Sequence, residues 1–123
     1  MPTIKMEYLA VLVIEPTKDT VMKEEYKNLE LAVNEAGHRF EMNVDGYIAF
    51  IEYSQSPGKI ALLHTEVPAE LEGKGAATAI IEKGLEYIEK NNFKLIPLCP
   101  LVVAYLNRHP EWKRIVDEEV KNI

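Results

Sequence analysis

The chain has 123 residues, 47% of them hydrophobic and 28% charged, enough for one domain with a core of its own and too few for two. Fourteen basic residues face 20 acidic ones, a net charge of −6, and no Lys/Arg cluster offsets it, which excludes nucleic acid as the expected partner. A single cysteine, Cys99, excludes an intrachain disulfide and fits a reducing compartment.

Residues 1–27 stand apart as an N-terminal accessory segment, with residues 28–123 as the main domain. YLAVLVI, residues 8–14, is far shorter than the roughly 20 apolar residues of a spanning helix. It ends in Glu15-Pro16 rather than in small residues suited to cleavage, so neither membrane insertion nor secretion is expected and the reading is cytoplasmic. The run itself reads as a buried strand or a turn of core helix. TKDTVMKEEYKN is polar and helix-prone, with Thr17 or Asp19 as possible caps.

From Asn28 the period becomes two. LELAVNE alternates Leu29, Leu31 and Val33, and HRFEMNV sets Phe40, Met42 and Val44 opposite Arg39, Glu41 and Asn43. Asp45-Gly46 is a tight-turn signal between such runs. YIAFIEYS, the turn at 56–58 and KIALLHTEV complete a four-stranded antiparallel meander. Ile60, Ala61, Leu62 and Leu63 suggest a last strand covered on both faces, ended by Pro68.

Residues 74–90 switch to helical spacing, with Ala77, Ile80, Ile81, Gly84, Leu85 and Ile88 as the apolar stripe and Asn91-Asn92 as the stop. FKLIPL is then a short buried strand, whose Pro97 requires an edge or a local gap in the ladder. Pro100 suits the first position of a further helix with Cys99 as its N-cap, stopping near His109-Pro110. EWKRIVDEEVKN is a final amphipathic segment burying Trp112, Ile115, Val116 and Val120.

Gly73 and Gly75 precede the 74–90 helix, where bare backbone serves either a turn or the close approach of an anion to free helical N–H groups. A Walker A loop would need glycine where Pro68 stands and Ser/Thr where Gly75 stands; a dinucleotide fingerprint would need glycine where Thr78 stands. The loop pattern Q/R-x-x-G-x-G/A of acyl-coenzyme A sites matches at both glycines, with Glu70 in the Q/R position.

HTEVPAELEGKGAATAI together with KLIPLCPLVVAYLNRHPEW resembles the GNAT acetyltransferases, and more narrowly their minimal branch with an H-T-E-V-P strand end and a cysteine after the next strand. The resemblance covers roughly residues 28–118. It implies an α+β fold: a mostly antiparallel sheet, a glycine-loop helix, a splayed strand and C-terminal helices. It implies acetyl transfer from acetyl-coenzyme A, as co-substrate, to an amine acceptor. Binding of the coenzyme would fall to Val67 and the backbone of Leu71, Glu72, Gly73, Lys74, Gly75, Ala76 and Ala77, with Asn107 and Arg108 as further contacts. The pantetheine arm would enter between the strand ending in HTEV and the strand holding Pro97.

For the chemistry the resemblance points to Cys99, His64, Glu66 and Tyr105. Cys99 is either a buried small hydrophobe or, as an N-cap facing the N–H groups of Leu101 and Val102, an available thiolate. His64 and Glu66 alternate onto one strand face, with Thr65 on the other, and either could take a proton from an attacking ammonium. Tyr105 stands where many GNAT enzymes reprotonate the coenzyme thiolate, or is a core aromatic. No His/Cys/Asp/Glu spacing suits a metal. A non-catalytic acyl-coenzyme A binding module would keep the loop without needing Cys99 or Glu66, and a pure interaction domain would need neither. The acceptor and the oligomeric state are not legible.

Overall fold

In the computed structural model, which describes residues 24–120, the alternating segments form one five-stranded sheet of order β1-β2-β3-β4-β5. β1 (Ala32–Asn34), β2 (Arg39–Val44), β3 (Tyr47–Ser56) and β4 (Lys59–Glu66) are antiparallel neighbours, and β5 (Lys94–Pro97) adds parallel to β4. The expected meander is therefore present, extended by the parallel edge strand. The apolar run at residues 8–14 lies outside the described residues. So do the candidate caps Thr17 and Asp19.

β1 is shorter than the 29–34 alternation implies. The helical turn α1 (Glu24–Lys27) closes with Leu29 N–H on Tyr26 O at 3.2 Å, so Leu29 and Leu31 pack against the core before the ladder starts. Asp45 and Gly46, at φ 54° and 88°, form the tight turn between β2 and β3. Two left-handed residues give the twist that adjoining strands need. Asn43 Oδ1 accepts the Gly46 N–H at 2.8 Å and fixes it.

α2 (Ala76–Lys90) returns from β4 to β5 and buries Ala76, Ala79, Ile80, Ile81, Gly84, Leu85 and Ile88. Ala77, expected in that stripe, is only half-buried. The helix stops as its asparagines imply. Asn92 adopts φ 62°, its N–H bonds Glu89 O, and Phe93 N–H reaches back to Ile88 O, a Schellman-type ending. α3 (Pro100–Arg108) buries Val102, Tyr105 and Leu106. The last amphipathic segment takes the form of two 3-10 turns, Pro110–Ile115 and Glu118–Val120, with Val116 bridging Leu95 between them.

All these elements share one core with a single sheet face: Phe40, Met42, Ala49, Ile51, Ile60 and Leu62 point into it along with Tyr26, Val102 and Val116. Each large apolar side chain so buried contributes roughly 1.5–3 kcal/mol. The expectation that β4 is covered on both faces is not met. Ile60 and Leu62 are buried, but Leu63 is 40% exposed, because the helices among the described residues pack on one side only.

The same stretch carries a β-bulge. Glu52 pairs His64 while its neighbour Tyr53 pairs Leu62, so Leu63 is the extra residue of β4. A bulge resets the in–out alternation of its strand. After it, His64 and Glu66 project from the face on which no helix of the described residues packs, hereafter the helix-free face, and Thr65 turns into the core.

Candidate active site

Two features of the backbone meet at the end of β4. The β4–β5 ladder runs from Lys59↔Lys94 to Leu62↔Pro97 and stops. Leu62 O accepts both Leu98 N–H (3.0 Å) and Cys99 N–H (2.9 Å), which turns the chain away into α3. Pro97 sits at the last rung, where its missing N–H costs little. Beyond it, residues 64–66 pair with β3 and make no backbone rung to residues 98–99, so the ladder opens there, with only the Thr65 and Cys99 side chains in contact across it.

Beside that opening lies the glycine loop. The 3-10 turn Ala69–Leu71 leads into Gly73 and Gly75, both left-handed at φ 75° and 81°, a conformation glycine adopts without the cost a Cβ would add. Gly75 is the N-cap of α2, and its carbonyl accepts Ala79 N–H at 3.0 Å. The N–H groups of Ala76, Ala77 and Thr78 are thus the free donors of the helix start. They border a shallow hollow of about 180 Å³ lined by Val67, Leu71, Glu72, Gly73, Gly75, Ala76, Ala77 and Thr78. No acid stands in the first turn of α2, so the positive dipole end is left for an incoming anion.

Seven of the eight expected loop contacts are therefore neighbours; Lys74 is exposed and does not line the hollow. Thr78 was missed, because alanine-rich spacing drew attention to its apolar neighbours; its place in the first turn of α2 was the available signal. Glu70, standing in the Q/R position, is exposed on the 3-10 turn and also lies outside the lining. Asn107 and Arg108 are exposed at the far end of α3, roughly 10–12 Å along the axis from its start at 1.5 Å per residue.

The expected catalytic side chains divide between the two faces of the sheet. On the helix-free face His64 Nε2 and Glu66 Oε1 lie 3.1 Å apart, with side chains 54% and 61% exposed. Cys99, 2% exposed, faces the opposite way into the core. It is the N-cap residue of α3, but its sulfur makes no cap hydrogen bond; it contacts the Thr65 hydroxyl at 3.3 Å instead. His64 and Cys99 are not brought together as a base–nucleophile pair.

Tyr105 is buried between α2 and α3. Its hydroxyl donates to Glu82 Oε1 at 2.5 Å, and its ring lies 4.4 Å from that of His109. Burial first, then the Glu82 hydrogen bond and charge, push its pKa well above the usual phenol value. Glu82 is the second residue the sequence reading missed, because an acid on the polar side of an amphipathic stripe carries no mark of its partner.

Among the described residues no group of three or more His, Cys, Asp or Glu is arranged to hold a metal, and no helix is long and apolar enough to cross a membrane. Compared with known families, residues 39–115, more than half of the chain, match the sequence model of a family described as GCN5-related N-acetyl-transferase.

Proposed function

Because the chain belongs to the GCN5-related N-acetyltransferase family, we propose that it transfers an acetyl group from acetyl-coenzyme A to an amine. The observation that carries this reading is the opening between residues 64–66 and 98–99, with free helical N–H groups beside it and an imidazole–carboxylate pair on the helix-free face. The pyrophosphate belongs at the start of α2, where Ala76, Ala77 and Thr78 can donate to it and the two left-handed glycines hold no Cβ between it and the backbone. The acyl end belongs in the opening.

An amine reaches the site as an ammonium, which has no lone pair with which to attack. In the tautomer that donates Nε2–H to Glu66, His64 keeps Nδ1 free to accept the proton, and Glu66 balances the imidazolium that forms. The neutral amine then adds to the thioester carbonyl, the C–S bond breaks, and the amide nitrogen sheds its second proton. One ammonium and one acetyl thioester yield one acetamide, one thiol and one proton released to solvent.

The placement of Cys99 supports direct transfer. A sulfur that is buried against Thr65 on the far side of the sheet from His64 has no base bonded to it among the described residues. Tyr105 acts as a tie between α2 and α3, since its hydroxyl is spent on Glu82 and the raised pKa makes it a weaker acid.

Two measurements test the reading. Acetyl-coenzyme A should raise the thermal midpoint, because binding to the folded state alone stabilises it, and an amine should then release free thiol. A protein stabilised by the coenzyme that acetylates no amine would be a binding module, and one that is not stabilised would lack the coenzyme site altogether.

A further inference from the structure

The side-chain contact that spans the opening has no part in the proton and bond exchanges of the transfer. β4 and the 98–99 turn part after Leu62, yet the Thr65 hydroxyl and the Cys99 sulfur meet across the gap at 3.3 Å. Oxygen and sulfur at that separation are in contact, so nothing fits between them. Both residues are inside the molecule, Thr65 at 6% exposure and Cys99 at 2%. Cys99 belongs to the same core cluster as Leu62, Val102 and Leu106, and a core packed as densely as an organic crystal has little spare room. The backbone therefore opens where the side chains close.

The pair also stands on the side of β4 that leads to the glycine loop. His64 and Glu66 point away from the core, whereas Thr65 points into it. Val67, two residues after Thr65, also turns inward: it packs against the core and lines the hollow at the start of α2. A coenzyme with its pyrophosphate in that hollow would run past Val67, and its acyl end would arrive at Thr65 and Cys99.

Resting on the acetyl-transfer reading, we infer that Thr65 and Cys99 form the end wall of the acyl slot and restrict the donor to acetyl, excluding longer straight-chain acyl groups. The acetyl methyl stops against the Thr65 side chain and the Cys99 sulfur. A propionyl group carries one more carbon into the same wall, and seating it forces buried side chains out of their packed positions. Cys99 then serves through the size of its sulfur and needs neither a thiolate nor a base. Both residues are specificity determinants: they touch the acyl group and move no proton.

The test is titration calorimetry of the full chain with acetyl-, propionyl- and butyryl-coenzyme A, which requires no acceptor. Cys99→Ala and Thr65→Ser each delete one heavy atom from the wall, and the space stays partly open because the surroundings relax incompletely. The unsubstituted chain should bind propionyl-coenzyme A at least tenfold more weakly than acetyl-coenzyme A, the usual cost of one methylene in a fitted pocket. Butyryl-coenzyme A should bind more weakly still. Cys99→Ala should cut the propionyl penalty to about threefold or less, and Thr65→Ser should shift it the same way; Thr65→Ser decides the matter should Cys99→Ala not fold. A substitution that merely loosened the fold would weaken all three ligands alike and leave their ratios unmoved. Unmoved ratios, or equal affinity of the unsubstituted chain for the three donors, would overturn the inference while leaving coenzyme binding intact. If none of the three binds, the acetyl-transfer reading falls as well.

Discussion

Replacing Gly75 by valine separates the anion-site reading from a simple turn. Gly75 sits at φ 81°, where an L-residue costs about 1–2 kcal/mol and a β-branched one is worse placed. For a chain of this size that is a fall of roughly 4–8 °C in thermal midpoint. The larger effect is on the coenzyme. The new side chain would stand in the hollow lined by Gly73, Gly75 and Thr78 and hold phosphate off the helix start. Losing two hydrogen bonds to a charged group removes about 3–6 kcal/mol, a loss of 100-fold or more in affinity. Gly46→Val is the matched control: φ is 88° and nothing lies within 4 Å of its added Cβ, so it carries the same strain far from the site. Titration calorimetry with acetyl-coenzyme A should show full binding by Gly46→Val and almost none by Gly75→Val. Normal binding by a folded Gly75→Val protein would refute the phosphate assignment.

Glu66→Gln and His64→Ala should lower kcat at least tenfold while changing coenzyme affinity less than twofold; equal losses in both would mean the pair only shapes the strand end. Cys99→Ala should keep kcat within about threefold, and intact-mass measurement after brief exposure to acetyl-coenzyme A should find no acetyl adduct on the unsubstituted protein; a thioester on Cys99 would restore the covalent route. Tyr105→Phe should lose about 1.5–3 kcal/mol, the usual worth of a hydrogen bond to a charged group. Because the folded phenol holds its proton more tightly than the unfolded one, whose pKa is near 10.0, that stabilisation is complete below pH 10 and declines above it. Chemical denaturation across pH 9–11 should therefore give a shallower alkaline loss in Tyr105→Phe. Asp117, whose carboxyl is lowered mainly by the Glu119 N–H and then by Lys59, should lend stability that vanishes on acidification below the ordinary aspartate range. Asp117→Asn should flatten that acid limb.

Much of the fold was legible because it rests on local rules. Alternation over 39–44, the Asp45-Gly46 turn, the apolar stripe of α2, the Asn92 ending and the Cys99-Pro100 helix start each depend on residues within a few positions of one another. Pro97 went further: a proline in an apolar run demanded an edge or a gap, and it stands at the last rung before the ladder parts. Pairings across the molecule left no such mark. Nothing in the spacing of Tyr105 and Glu82, or of Thr65 and Cys99, announces a hydrogen bond between them, because helix-to-helix and strand-to-helix contacts are set by packing.

The bulge at Leu63 is the instructive case, because it decides how the site can work. Leu62 and Leu63 are adjacent leucines, and strict alternation cannot bury both unless the strand is covered on each face. That was the expectation. The chain instead inserts Leu63 opposite the Glu52–Tyr53 step, leaves it exposed, and restarts the alternation one residue out of phase. Without the bulge, with Leu63 paired in its turn, His64 would continue the Ile60–Leu62 row into the core, and Thr65 would face outward. With it, the imidazole and Glu66 reach the face from which an acceptor can come, while Thr65 covers Cys99 on the other. The bulge thus sets the His64–Glu66 pair and the Cys99 thiol on opposite faces of this sheet, so that a base at the strand end and a cysteine nucleophile would not share a face.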